Sequence, residues 1–255
     1  MRPYWPILFL AATLLCASTI DAAPVEVRLP EGPTRGFLTI RGPDGRRLGH
    51  GELVQSVRGD ELNNRLVLRF DDGSIHDETT IYSQRGTFRL DAYRLQERGP
   101  SFPGADISFD RVSGRYQAKV RPRPGAPELL ASGDFQVPAD LYNGMALTLL
   151  KNLPPGRPIT ARLAVFMPEP RLLKMELYRE GEDRLVFGGA AKAATRHLVK
   201  LEIGGLTGMV AWLVGKTPPD LRYWLVPGEV PAFARFEGAM FLNGPVWRVE
   251  IAGVE

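Results

Sequence analysis

The side chains best suited to acid–base chemistry stand in one short run, His76-Asp77-Glu78, just after the turn signal Asp72-Gly73. A histidine takes up and releases a proton near neutral pH, and a neighbouring carboxylate can orient its ring or balance the charge that forms. Successive side chains on a strand point to opposite faces, so only His76 and Glu78 can share a side. If Asp140 converged with them, the three would supply the acid and base of a hydrolase. A solvated strand end explains the run equally well. The other histidines, His50 and His197, make no H-x-x-x-H or H-x-H pattern, so a zinc ion has little to bind. Asp71, Asp72 and Ser74 faintly echo a calcium loop, but the acid that closes such a loop is missing.

No G-x-S-x-G elbow, phosphate-binding loop or dinucleotide glycine fingerprint is present. A second polar set, Asp140, Tyr142 and Asn143, opens a stretch in which Leu141, Met145 and Leu149 recur every four residues. This spacing predicts a short amphipathic helix over 139–150, with Asp140 as its cap and Asn152 before Pro154-Pro155 as its stop. Leu206, Met209, Val210, Leu213 and Val214 predict a second helix, apolar on nearly every side because Trp212 lies off the main stripe. The aromatics Trp212, Tyr223, Trp224, Phe233, Phe236 and Trp247 gather toward the C-terminus, to line an apolar pocket or to fill a plain core.

The elements that must hold these groups are strands. Apolar residues alternate with polar ones at Leu66, Leu68 and Phe70, at Phe88, Leu90 and Ala92, and at Tyr116, Ala118 and Val120. The same period returns at Ala161, Leu163 and Val165, at Met175 and Leu177, at Val199, Leu201 and Ile203, and at Trp247, Val249 and Ile251. Pro43-Asp44-Gly45, Asp72-Gly73, Arg85-Gly86, Ser113-Gly114, Glu180-Gly181 and Asn243-Gly244 place glycine where tight hairpins need it. Consecutive hairpins make a meander. Residues 121–133, with three prolines and two glycines, are the best place for a joint between halves, although a single domain over 23–255 is the simpler reading.

The chain has 255 residues, 44% of them apolar and 24% charged, which is the balance of a packed globular protein. At this size it needs neither disulfide nor metal to hold a core, and its one cysteine is Cys16. The net charge is +3, and arginine outnumbers lysine 26 to 6. Most arginines alternate with apolar residues, as in Arg65-Leu66-Val67-Leu68-Arg69-Phe70, and so belong to wet strand faces rather than to a nucleic-acid footprint. The densest basic stretch, Arg111, Arg115, Lys119, Arg121 and Arg123, reads as a solvated face or as a surface for an anionic partner. Arg2, the apolar run 7–17 and the small residue of Ile20-Asp21-Ala22 predict a signal peptide over 1–22 and export to the periplasm or beyond. Bulky Leu15 before Cys16 argues against a lipoprotein site. Cleavage after Ala22 would leave a chain without cysteine, which excludes thiol catalysis.

Phe70-Asp71-Asp72-Gly73-Ser74, Gly99-Pro100-Ser101-Phe102-Pro103, Asp140-Leu141-Tyr142-Asn143-Gly144-Met145, Gly215-Lys216-Thr217-Pro218-Pro219-Asp220 and Gly244-Pro245-Val246-Trp247-Arg248 resemble segments of exported bacterial proteins in families of unknown function. The overall plan is also similar to the periplasmic lipoprotein-carrier half-barrels of the LolA and LolB type, whose concave sheet binds acyl chains. That second resemblance is one of architecture alone and transfers no site residue.

The expected fold is mainly β: a strongly curved antiparallel sheet, a half-barrel or open barrel, with two short helices on its concave side. The expected function is non-covalent binding of a lipid, a lipoprotein or another hydrophobic ligand in the concave face, with Tyr142, Met145, Met209, Trp212 and Leu213 as its contacts. No catalysis, cofactor, metal, nucleic acid or membrane span after signal cleavage is expected. The alternatives are an envelope protein–protein interaction module, using a sheet edge or the stretch around Arg115 to Arg123, and a hydrolase of envelope lipids or glycans built on His76, Glu78 and Asp140.

Overall fold

A computed structural model describes residues 23–187, 189–202 and 220–253. The expected signal segment and the second expected helix, with Met209, Trp212 and Leu213, lie outside these residues. The first meander comprises β1 (Thr34–Arg41), β2 (Arg47–Arg58), β3 (Glu61–Phe70), β4 (Ile75–Arg85), β5 (Thr87–Arg98), β6 (Ala105–Asp110), β7 (Arg115–Val120) and β8 (Leu129–Asp134). One short helix, α1 (Ala146–Lys151), precedes the second meander. That meander comprises β9 (Ile159–Phe166), β10 (Pro170–Phe187), β11 (Ala190–Glu202), β12 (Leu221–Val226), β13 (Ala232–Ala239) and β14 (Val246–Ile251). All fourteen strands form one antiparallel sheet, in which β14 pairs with β1 and leaves β8 and β9 at the two edges.

Alternation positions the strands much as the sequence predicts. Along β7 the side chains of Tyr116, Ala118 and Val120 are buried while Arg115, Gln117 and Lys119 are exposed. Gly45, Gly73, Gly86 and Gly114 adopt positive φ at their hairpins, a conformation glycine enters without Cβ strain. Glu180-Gly181 is different: it is an irregularity inside β10, where the pairing with β11 slips, and the hairpin follows at Gly189. The expected face of Phe88, Leu90 and Ala92 is also interrupted. Asp91 has no pairing partner on β4, and this extra residue turns Tyr93 rather than Ala92 inward.

The sheet is rolled. Phe166, on edge strand β9, lies 5.9 Å from the Phe109 ring on β6 and 5.7 Å from the Tyr116 ring on β7, near the opposite edge. No β8–β9 ladder closes the roll, so it is an open barrel. The gap is spanned by residues 135–158. Phe135 donates its backbone N–H to Gly114, and Arg111 donates to the carbonyls of Leu90, Val137 and Pro138. Residues 140–143 then run beside β9. Arg162 N–H bonds Asp140 O, Tyr142 N–H bonds Arg162 O, and the Asn143 amide both accepts from Ala164 N–H and donates to Ala164 O at 2.8 Å. Unpaired backbone groups on this edge are thereby satisfied.

This use of 140–143 explains why the expected helix over 139–150 is only half formed. Leu141, Met145 and Leu149 are indeed fully buried, but the backbone before Gly144 is committed to β9, and α1 begins at Ala146 with no side-chain cap. Asp140 is not a cap; its carboxylate is paired with the Arg162 guanidinium. Among the described residues there is one α-helix, not two. The proline-rich stretch 121–133 is likewise no joint between halves, because it forms the β7–β8 loop and most of β8.

The inner face holds the main core, which runs from Leu62, Tyr82 and Phe88 past α1 to Phe166 and Leu177. Phe70, Phe102, Phe241 and Trp247 pack edge-on or tilted, 4.8–6.1 Å apart, beside the opposite end. The outer face carries cross-strand ion pairs such as Arg65–Asp77 and Arg248–Glu237. No helix among the described residues is long and apolar enough to cross a membrane.

Candidate ligand-binding lumen

Alternation sends one side chain in two toward the axis of the roll, and every strand except β8 contributes to the wall of a cavity of about 430 Å³. That volume lies within the ~300–1,000 Å³ typical of small-molecule sites. The wall is mainly aliphatic and aromatic: Leu66, Leu95, Leu163, Val199 and Tyr223 represent its circumference. The hairpins of a meander alternate between ends. Pro103, Pro122, Met167 and Met240 place the mouth at the end that carries the β5–β6, β7–β8, β9–β10 and β13–β14 loops. The other end is stoppered by α1 and the N-terminal segment, where Asn152 Oδ1 accepts the N–H groups of Arg28 and Leu29 at 2.9 and 2.7 Å.

Tyr142 does line this cavity, yet its hydroxyl is engaged: it accepts Val25 N–H at 2.9 Å and donates to Phe88 O at 3.2 Å. It therefore ties the stopper to β5. Met145 is fully buried in the core and is not part of the cavity wall. Of the C-terminal aromatics, Tyr223, Phe233 and Phe236 line the cavity, whereas Trp247 packs with Phe70 and Phe102. Trp224 faces away and donates Nε1–H to Asp183 at 2.6 Å.

His76 and Glu78 share a side, as the strand period requires, and both face the lumen. The partner of His76 is Glu97 on β5, with Nδ1 and Oε1 2.9 Å apart, and not Glu78. Glu97 was legible only through tertiary pairing, since 21 residues separate the two. Burial lowers the His76 pKa, but the hydrogen bond and charge of Glu97, helped by Glu78 and Asp77, outweigh it and raise the ring above its ordinary value. Glu78 accepts a hydrogen bond from the Tyr93 hydroxyl at 2.8 Å. Burial, then the Glu78 charge, holds that phenol well above its ordinary pKa, so it stays a donor. Asp140 is taken by Arg162 and does not line the cavity. Among the described residues no hydroxyl is bonded to His76, so the nucleophile–base pair that acyl transfer needs is not assembled, and no group of residues there could hold a metal ion. Asp72, suggestive of a calcium loop, instead accepts from Ser74 N–H and the Ser101 hydroxyl.

No protein-family model matches the sequence, and no curated protein matches it. Among solved structures, a β-barrel-like protein of the domain of unknown function DUF1849 from Brucella abortus is similar over 89% of this chain and 98% of that one. The two are 10% identical, with a TM-score of 0.46. Similarity at that level says nothing of what the present chain binds, and the open-barrel description stands on its own strand pairing.

The basic stretch is largely neutralised where it lies. Lys119 and Arg121 pair with Glu128, Arg115 with Asp134, and Arg111 is spent on backbone carbonyls. In a second buried histidine, His197, burial outweighs a backbone hydrogen bond at Thr195 and lowers the pKa. These opposite directions predict how stability follows pH. Raised His76 stabilises fully below the unfolded value near 6.5 and loses that contribution as pH climbs through its folded value. Depressed His197 contributes above 6.5 and is lost as pH falls through its folded value. The joint contribution of the two histidines should therefore peak close to pH 6.5 and decline on each side. Thermal melts across pH should show His76→Gln flattening the alkaline limb and His197→Gln the acidic one. An unchanged alkaline limb in His76→Gln would contradict the assignment.

Proposed function

We propose that the protein binds a lipid or another apolar molecule non-covalently in the lumen of its rolled sheet, as an exported protein of the cell envelope. One observation carries this reading: a mainly apolar cavity of about 430 Å³, stoppered at one end by α1 and the N-terminal segment. Apolar area withdrawn from water there supplies the affinity, at about 25 cal/mol per Å². Lipoprotein carriers of the LolA and LolB type use the same principle, a concave sheet that presents apolar side chains. Export rests on the basic, apolar and small-residue order of 1–22. The separate placement of Asp140 from His76 and Glu78 speaks for binding over hydrolysis.

Native mass spectrometry of gently purified protein should find bound lipid, and a neutral polarity-sensitive dye should brighten on addition. Leu66→Trp fills the lumen from β3. It should weaken dye binding about tenfold or more while costing only the ~1–3 kcal/mol of an overpacked core. Absence of lipid together with absence of dye uptake by the wild-type protein would end this proposal.

A further inference from the structure

Glu78 is an unusual wall residue. Its cross-strand neighbours on the lumen side are Leu66 of β3 and Leu95 of β5. Along β4 it is flanked on that face by His76 and Thr80. Among the described residues its one hydrogen bond is from Tyr93, and none forms an ion pair with it. The other charged groups on the wall are already matched. His76 is held by Glu97, and Arg121 at the mouth reaches Glu128 at 3.3 Å. Gly144 backs the carboxyl so closely that a Cβ there would come within 3.3 Å of Glu78 Cδ. Asn64, also on the wall, has an Oδ1 acceptor with no partner among the described residues. A half-buried carboxyl on a mainly apolar wall, with no ion-pair partner among the described residues, is a ready acceptor for a ligand cation.

We propose that the lumen takes a single-chain amphiphile amine end first, with Glu78 accepting from a primary ammonium while the chain lies against Leu66, Leu95 and Leu163. This rests on the reading of the lumen as an apolar-ligand site and narrows its ligand. An ammonium brings donors and a positive charge to Glu78, and Asn64 Oδ1 offers a second acceptor. A fatty carboxylate of the same length would meet like charge and a wall short of donors.

Displacement of the bound neutral dye by dodecylamine, dodecanol and dodecanoate near pH 7 tests this on the purified protein. Dodecylamine should displace about tenfold or more tightly than dodecanoate, with dodecanol between them. Glu78→Gln should bring the amine to within about threefold of dodecanoate, whereas Tyr93→Phe, which leaves the carboxyl in place, should keep the preference. Lyso-phosphatidylethanolamine separates the two sources of such an amine: tight displacement points to a headgroup amine, weak displacement to a bare alkylamine. Equal or tighter binding of dodecanoate to the wild type, or an unchanged ratio in Glu78→Gln, overturns the amine proposal while leaving the lumen as a ligand site. Failure of the dye and of every amphiphile to bind removes both.

Discussion

Asp140→Ala should lower stability by about 3 kcal/mol, read by chemical denaturation, and depress the melting temperature by roughly 10 °C. The carboxylate is fully buried and paired with Arg162, whose side chain is 28% exposed. Removing the buried carboxylate takes a charged partner from Arg162, and breaking a buried pair costs about 3–5 kcal/mol in the interior; the exposure of Arg162 favours the lower end. The loss should fall on one place. Residues 140–143 cover the β9 edge, so exchange of the Arg162 and Tyr142 amides, both bonded across that edge, should accelerate before exchange elsewhere. Asp140→Asn combined with Arg162→Gln should recover part of the loss, because both members of the ion pair are then neutral. A cost under about 1 kcal/mol for Asp140→Ala would mean that the backbone bonds alone hold the crossover.

Gly144→Ala should cost about 3 kcal/mol as well, for two separable reasons. The residue has φ of 70°, where an L side chain is disfavoured by about 1–2 kcal/mol. Its Cβ would also fall on Thr80 Oγ1, a buried atom of β4, and forcing atoms into packed space costs about 1–3 kcal/mol. Gly144→Asn distinguishes the two, since asparagine tolerates positive φ but still brings a Cβ. It should recover less than half of the loss. Because the same Cβ presses on Glu78, dye and amine binding should weaken in both variants even at temperatures where they are fully folded. Normal binding by a folded Gly144→Ala protein would show that the carboxyl is not held in place by this contact.

Much of the scaffold was legible in the chain because strand burial has a period of two. Tyr116, Ala118 and Val120, or Met175 and Leu177, must face one way, and a sheet with one dry face must curl or pack to hide it. The failures have a common origin. Ala92 faces outward because Asp91 is an extra residue opposite β4, a matter of pairing between strands that no local pattern encodes. Leu141, Met145 and Leu149 are buried at helical spacing, yet the first of them sits in extended chain, since an unpaired strand edge competes for the backbone of 140–143 and wins.

The site divides in the same way. That His76 and Glu78 would share a face followed from their spacing alone, and both do line the lumen. That His76 would pair with Glu97, Glu78 with Tyr93, and Asp140 with Arg162 depended on hairpin register and on how the crossover meets β9. Period and turn chemistry act between near neighbours and so are written along the chain. Charge pairing and enclosed volume act between groups that only the rolled sheet brings together, and these decided which polar residues were spent on the fold and which were left facing the lumen.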